Sequence, residues 1–146
     1  MHTVKATIIT IGDELLIGQV IDTNSAWMAQ ELNRIGVTVS RRIAVGDERD
    51  AIWSALDAEM PVADIVLLTG GLGPTADDIT KPLLCDYFGG KMVVNDLVLQ
   101  HLHYLFEKVY GRPMIDRNAR QAEVPDVCTV LHNANGTAPG MWFEKN

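Results

Sequence analysis

Residues 6–11, Ala6-Thr7-Ile8-Ile9-Thr10-Ile11, form a short run that is β-branched and nearly all apolar. Branching at Cβ favours the pleated strand, and an apolar run without polar alternation fits a strand covered on both faces. Working outward, Asn24 to Ile35 places Met28, Leu32 and Ile35 at i, i+4 and i+7. Asp22 or Thr23 can cap this helix, and Gly36 supplies its stop. Val37 to about Val45 reads as a second strand. A helical stretch then follows Asp47 to about Met60, where Asp50, three residues on, resembles a capping box and Pro61 closes the helix. Asp64-Ile65-Val66-Leu67-Leu68-Thr69 repeats the buried-strand pattern.

Beyond the glycine-rich segment Gly70 to Gly73, helix is predicted from Asp78 to Phe88, stopped by Gly89-Gly90. A longer amphipathic stretch covers Asp96 to Tyr110, with Val98, Leu102, Leu105 and Val109 along one face. Arg117 to Glu123 fits one more short helix. Cys128 to Leu131 and Gly140 to Phe143 read as strands joined by the turn-rich Asn133 to Pro139. The order βαβαβα predicts an α/β fold with a largely parallel sheet covered by helices on both faces. No repeat, linker or low-complexity segment interrupts the chain, so residues 1–146 are expected to form a single domain.

Composition narrows the function. A chain of 146 residues with 47% hydrophobic side chains buries roughly 68–70% of its unfolded surface and needs no disulfide or metal scaffold. Twelve basic against 19 acidic side chains leave a net charge of −7. That balance offers no electrostatic footprint for nucleic acid or an anionic membrane. An anionic ligand is therefore expected on backbone N–H groups or a bridging cation, not on a basic patch. Cys85 and Cys128 lack Cys-x-x-Cys spacing and read as reduced, buried thiols. The N-terminal apolar run is too short to span a membrane and has no small-residue cleavage site, so a cytoplasmic protein is expected. Trp27, Trp53 and Trp142 are expected in or near the core. His101 and His103, two apart on a helix, make a poor metal pair.

In open α/β sheets, ligands bind outside the carboxyl ends of the strands. Three loops leave those ends. The first carries Gly12, Asp13 and Glu14 and runs on to Asp22 and Asn24; the second carries Gly46, Asp47 and Glu48. The third is Thr69-Gly70-Gly71-Leu72-Gly73-Pro74-Thr75-Ala76-Asp77-Asp78-Ile79-Thr80. Glycines let backbone approach a phosphate, and a following helix start offers unpaired N–H groups. The loop lacks the Gly-Lys-Ser/Thr of a Walker sequence; an ordinary strand-to-helix turn is the plainer alternative. Asp77 and Asp78 add weight to the functional reading, because two carboxylates beside a phosphate require a hard cation. Mg²⁺ commonly takes one or two carboxylates plus substrate phosphates. Asp78 and Asp47 could equally be helix caps. Six carboxylates, Asp13, Glu14, Asp22, Asp47, Asp77 and Asp78, are expected to face the crevice, with Mg²⁺ or another divalent cation as cofactor.

The segment Thr69 to Thr80 resembles the signature of the molybdopterin-binding domain family. Ile11-Gly-Asp-Glu-Leu-Leu-Ile-Gly18, Asp22-Thr-Asn24, Val45-Gly-Asp-Glu48 and Asn135-Gly-Thr-Ala-Pro-Gly140 resemble, more narrowly, the N-terminal domain of the competence-damage-inducible (CinA) proteins. The resemblance implies a three-layer α/β/α sandwich with a mostly parallel central sheet and a pterin- or nucleotide-binding crevice. Asp47 and Asp78 match the two aspartates that related molybdopterin adenylyltransferases use with ATP and Mg²⁺. The CinA branch implies instead an ADP-ribose pyrophosphatase. Family members continue into a Leu-Pro-Gly-x-Pro loop, so the chain is expected to be a truncated version of the domain.

On this reading Asp47 and Asp78 are the catalytic candidates, and Asp77 and Asp78 hold the metal. Gly12, Asp13, Glu14, Asn24, Gly70, Gly71, Gly73, Thr75 and Thr80 bind substrate or phosphate. The expected partners are a small nucleotide or pterin phosphate and further copies of the chain. A molybdopterin adenylyltransferase-like protein of molybdenum cofactor biosynthesis is the runner-up that the resemblance implies, and a non-catalytic module that binds a nucleotide or pterin is the alternative from another functional class.

Overall fold

The computed structural model describes residues 2–145, which divide into two compact units, one ending at Gly71 and one beginning at Leu72. In the first unit, β1 (Lys5–Ile11) is followed by the short α1 (Asp13–Leu16), α2 (Thr23–Arg34), β2 (Thr38–Val45), α3 (Arg49–Glu59) and β3 (Ile65–Thr69). The three strands form a parallel sheet in the order β2-β1-β3. β1 is central, and every residue from Ala6 to Ile11 is buried, as its apolar run predicts. Ile8 and Ile9 are fully buried, each a contribution of about 1.5–3 kcal/mol.

The chain moves from β1 to β2 on one side, then crosses back over β1 to reach β3. With right-handed crossovers, that reversal puts α2 and α3 on opposite faces of the sheet. A helix–sheet–helix layering follows, and the α/β fold expected from the sequence is the fold observed. The two threonines of β1 are satisfied internally. Thr10 donates its hydroxyl to Asp22 at 2.8 Å, and Thr7 donates to the buried Glu59 carboxylate at 2.8 Å. Glu59 also lies 2.6 Å from Arg41, a charge contact without hydrogen-bond alignment.

Helix α2 begins and ends as its sequence requires. Asp22 accepts the Ser25 N–H at 3.0 Å and the Ser25 hydroxyl at 2.6 Å. At the other end Gly36 adopts φ +83°, and the N–H groups of Gly36 and Val37 bond the carbonyls of Asn33 and Leu32. This is a Schellman closure, for which glycine's freedom at positive φ is needed. The predicted cap of α3 is not formed. Its N-cap is Glu48, with no side-chain bond, so the Asp47–Asp50 capping box is absent.

The second unit contains α4 (Thr80–Tyr87), β4 (Met92–Val94), α5 (Asp96–Tyr104), a π-helical turn (Leu105–Val109), α6 (Asp116–Ala119), a 3₁₀ turn (Arg120–Ala122), β5 (Glu123–Pro125), β6 (Thr129–Leu131) and β7 (Gly140–Trp142). β4 pairs antiparallel with β5, and β6 with β7. Val98, Leu102, Phe106 and Ala122 form its core. The predicted face of α5 holds through Leu105, but the wider π turn swings Val109 out to 55% exposure while Phe106 packs inside.

Two further expectations are corrected. Trp27 and Trp142 are exposed rather than in the core, and Trp53 is half-buried beneath the Arg49 guanidinium. α4 starts at Thr80, with Ile79 as N-cap, so Asp78 does not cap it. Both cysteines are free thiols; Cys85 is buried and Cys128 partly so, and burial raises both pKa values. Among the described residues no helix is long and apolar enough to cross a membrane.

Candidate functional site

The strand order 2-1-3 creates a topological switch at the carboxyl ends of β1 and β3, where α/β sheets place ligands. At the neighbouring carboxyl ends of β1 and β2 the first and second loops are joined by one reciprocal contact. The Asp13 N–H donates to Asp47 Oδ2, and the Asp47 N–H donates to Asp13 Oδ1, both at 3.1 Å. Asp47 thus uses its carboxylate on the neighbouring loop rather than on its own helix. Two carboxylates are held side by side as a result. Gly12, next to Asp13, is buried, with its N–H on the Val45 carbonyl at 2.9 Å.

Gly70 packs against the end of β1 so closely that a Cβ would overlap the Ile11 carbonyl oxygen, and its φ is +102°. Gly71 follows at φ +63°. A side chain at Gly70 would collide with backbone, so the close approach belongs to the fold of this unit. Glu14 is exposed on α1, and Asn24 is exposed in the first turn of α2. Asp22 is turned inward to Thr10 and Ser25 and has Arg42 nearby, so it is a cap and not a crevice carboxylate. Burial alone would raise its pKa, but the bonds from Ser25 and Thr10 and the Arg42 charge together hold it below the ordinary value.

In the second unit the third loop is closed by Asp78. Its carboxylate accepts the Thr75 N–H at 3.0 Å and the Thr75 hydroxyl. Burial pushes the Asp78 pKa up, yet the Thr75 hydroxyl and the N–H groups of Thr75 and Gly73 outweigh it, and the net shift is downward. Asp78 is therefore a carboxylate at neutral pH. A Cβ on Gly73 would lie 2.5 Å from Asp78 Oδ2. The room glycine leaves there is taken by the Asp78 carboxylate. Thr75 spends its hydroxyl on the same carboxylate. Thr80 is buried and does not line the cavity beside this loop, so its hydroxyl is not presented to a ligand there. Asp77 is exposed at the loop's edge.

That cavity, about 500 Å³, is walled by Gly73, Thr75, Asp78, Lys81, Arg117 and Arg120 among others. Its size falls within the range of small-molecule sites. Three cations, Lys81, Arg117 and Arg120, line one cavity although the chain as a whole is acidic. Arg117 and Arg120 were not recognised in the sequence because they lie some forty positions from the loop. Their i, i+3 spacing on a short helix was the available signal.

Among the described residues no three His, Cys, Asp or Glu side chains gather as a metal-binding set. What the third loop offers is the adjacent pair Asp77 and Asp78, the share of ligands Mg²⁺ takes when phosphates supply others. The oxygen donors and the ionised state of Asp78 fit that ion.

The family model described as a probable molybdopterin binding domain matches residues 7–146. The chain belongs to the molybdopterin-binding domain family. Within it, the CinA-like proteins of Flavobacterium psychrophilum and Cytophaga hutchinsonii are 49% and 51% identical to the chain over 97% and 98% of its length. The chain spans about a third of the length of these curated relatives, 34% in each case. A solved structure of the protein CinA from Thermoplasma acidophilum is 33% identical, with TM-score 0.80, covering 94% of this chain and 79% of that one. The tungsten cofactor synthesizing protein MoaB from Pyrococcus furiosus is 26% identical, with TM-score 0.58, covering 76% of this chain and 68% of that one. The family and the CinA likeness expected from the motifs are both shown.

Proposed function

We propose that this molybdopterin-binding-family domain hydrolyses the diphosphate of ADP-ribose, giving AMP and ribose 5-phosphate. The observation that carries the reading is the Asp13–Asp47 pair at the carboxyl ends of β1 and β2. A carboxylate fixed by a backbone N–H is suited to orient a water and accept its proton. The water oxygen forms a bond to one phosphorus, the bridging P–O bond breaks, and the departing phosphate takes up the charge. Asp47 is the orienting base in this scheme, with Asp13 positioning it. In the second unit, taken by itself, Asp77 and Asp78 are the carboxylates that would hold Mg²⁺, an ion whose charge offsets that of phosphate oxygens. Identities of 49–51% to CinA-like proteins, against 26% to MoaB, favour this reading over adenylyl transfer to a pterin.

The test is product analysis with ADP-ribose and Mg²⁺, run beside ATP with molybdopterin. AMP and ribose 5-phosphate from the first mixture support hydrolysis. Turnover in the second mixture alone would assign the domain to adenylyl transfer, and turnover in neither would leave a binding module.

A further inference from the structure

The cavity beside the third loop carries more positive charge than a chain of net charge −7 leads one to expect. Lys81, Arg117 and Arg120 line it, against the carboxylates of Asp78 and Glu123. Arg117 lies in α6 and Arg120 opens the 3₁₀ turn that continues it. Residues three apart on such a segment lie on one side. Both side chains are exposed, and among the described residues neither guanidinium has an ion-pair or hydrogen-bond partner. Lys81 is different. It reaches from the first turn of α4 to the Gln121 carbonyl, which accepts its ammonium at 3.2 Å. Burial lowers its pKa, against the opposing pull of the Glu123 and Cys128 charges.

We infer that Lys81, Arg117 and Arg120 bind a phosphate or diphosphate group directly, without a bridging divalent cation, as the anchoring subsite for a nucleotide diphosphate. The identity of the nucleotide rests on the function proposed above; the anion subsite rests on the cavity and its cations. Guanidinium forks match phosphate oxygens two at a time, and the two here are uncommitted. Lys81, which lines the same cavity, contributes a compact charge held by the Gln121 carbonyl. Asp78 lines the same cavity with its carboxylate engaged by Thr75.

The probe is inorganic pyrophosphate in excess EDTA, with affinity read by calorimetry. The wild-type chain should bind it, and binding should weaken steeply as salt rises. The double variant Arg117→Gln/Arg120→Gln should lose at least tenfold in affinity. Both arginines are exposed, and an unchanged circular dichroism spectrum and melting temperature would confirm the fold. Glu123→Gln should bind more tightly than wild type, because it removes an opposing charge from the cavity wall; a misfolded variant would not gain. Pyrophosphate binding that appears only with Mg²⁺, or an unchanged affinity in the double arginine variant, would overturn the inference. Binding through the arginines with no cleavage of ADP-ribose in Mg²⁺ would leave the subsite standing and refute the hydrolase reading.

Discussion

Asp13 and Asp47 hold one another: each carboxylate accepts the other residue's backbone N–H at 3.1 Å, tying the loop after β1 to the loop after β2. Neither bond is local in sequence. The pair ties two loops into one platform that holds both carboxylates, and preorganisation of this kind is what proton transfer requires.

Asp47→Asn tests the chemistry of that platform separately from its structure. The amide oxygen still accepts the Asp13 N–H, so stability should stay within about 1 kcal/mol of wild type. Loss of the base should cost turnover of ADP-ribose about 10²-fold or more. Retained turnover would reduce Asp47 to a loop fastener.

Asp22→Ala should destabilise the first unit by about 2–3 kcal/mol, combining a lost N-cap with two hydroxyls, on Thr10 and Ser25, left without their acceptor. The pH dependence has a definite sign. Asp22 has a lowered pKa in the folded protein, so its contribution is complete above the unfolded carboxylate pKa and is lost as pH falls through the lower folded value. Acid unfolding of wild type should therefore be steeper than that of Asp22→Asn, measured by denaturant melts at successive pH values.

Gly70→Ala should cost about 3 kcal/mol or more, because a Cβ collides with the Ile11 carbonyl at a φ that L-residues avoid. A melting temperature equal to wild type would show that β3 can shift away from β1 without penalty.

How legible these features were depends on how far apart their parts lie in the chain. The Asp22 cap and the Gly36 stop each act within three residues of themselves, on Ser25 and on Asn33, and both formed as predicted. The buried run of β1 needs no partner to be recognised, because its apolar pattern already implies cover on both faces. Asp47 misled for the opposite reason. A carboxylate just before a helix has a good local partner in prospect, but a backbone N–H 34 residues earlier claimed it. Strands β4 and β5 are three residues each and acquire meaning only by pairing across about thirty residues, too short for periodicity to show. The cationic wall of Lys81, Arg117 and Arg120 likewise exists only after α4 and α6 are folded into the same unit. Net charge, summed over the chain, conceals it.

Thr75→Val removes the hydroxyl that Asp78 accepts. The Asp78 pKa should rise toward the ordinary carboxylate range, since one of the bonds lowering it is gone. If Asp78 must be ionised for turnover, the acid limb of the kcat/KM profile moves to higher pH. An acid limb that stays in place would remove Asp78 from the reaction.

The central claim is that water, and no other acceptor, attacks the diphosphate. Incubation of the chain with ADP-ribose and Mg²⁺ in H₂¹⁸O, followed by mass spectrometry of the products, tests it in one step. Hydrolysis predicts AMP and ribose 5-phosphate with a single ¹⁸O in one of the two phosphates. Intact ADP-ribose, or AMP transferred to another acceptor with no label in either phosphate, would contradict it.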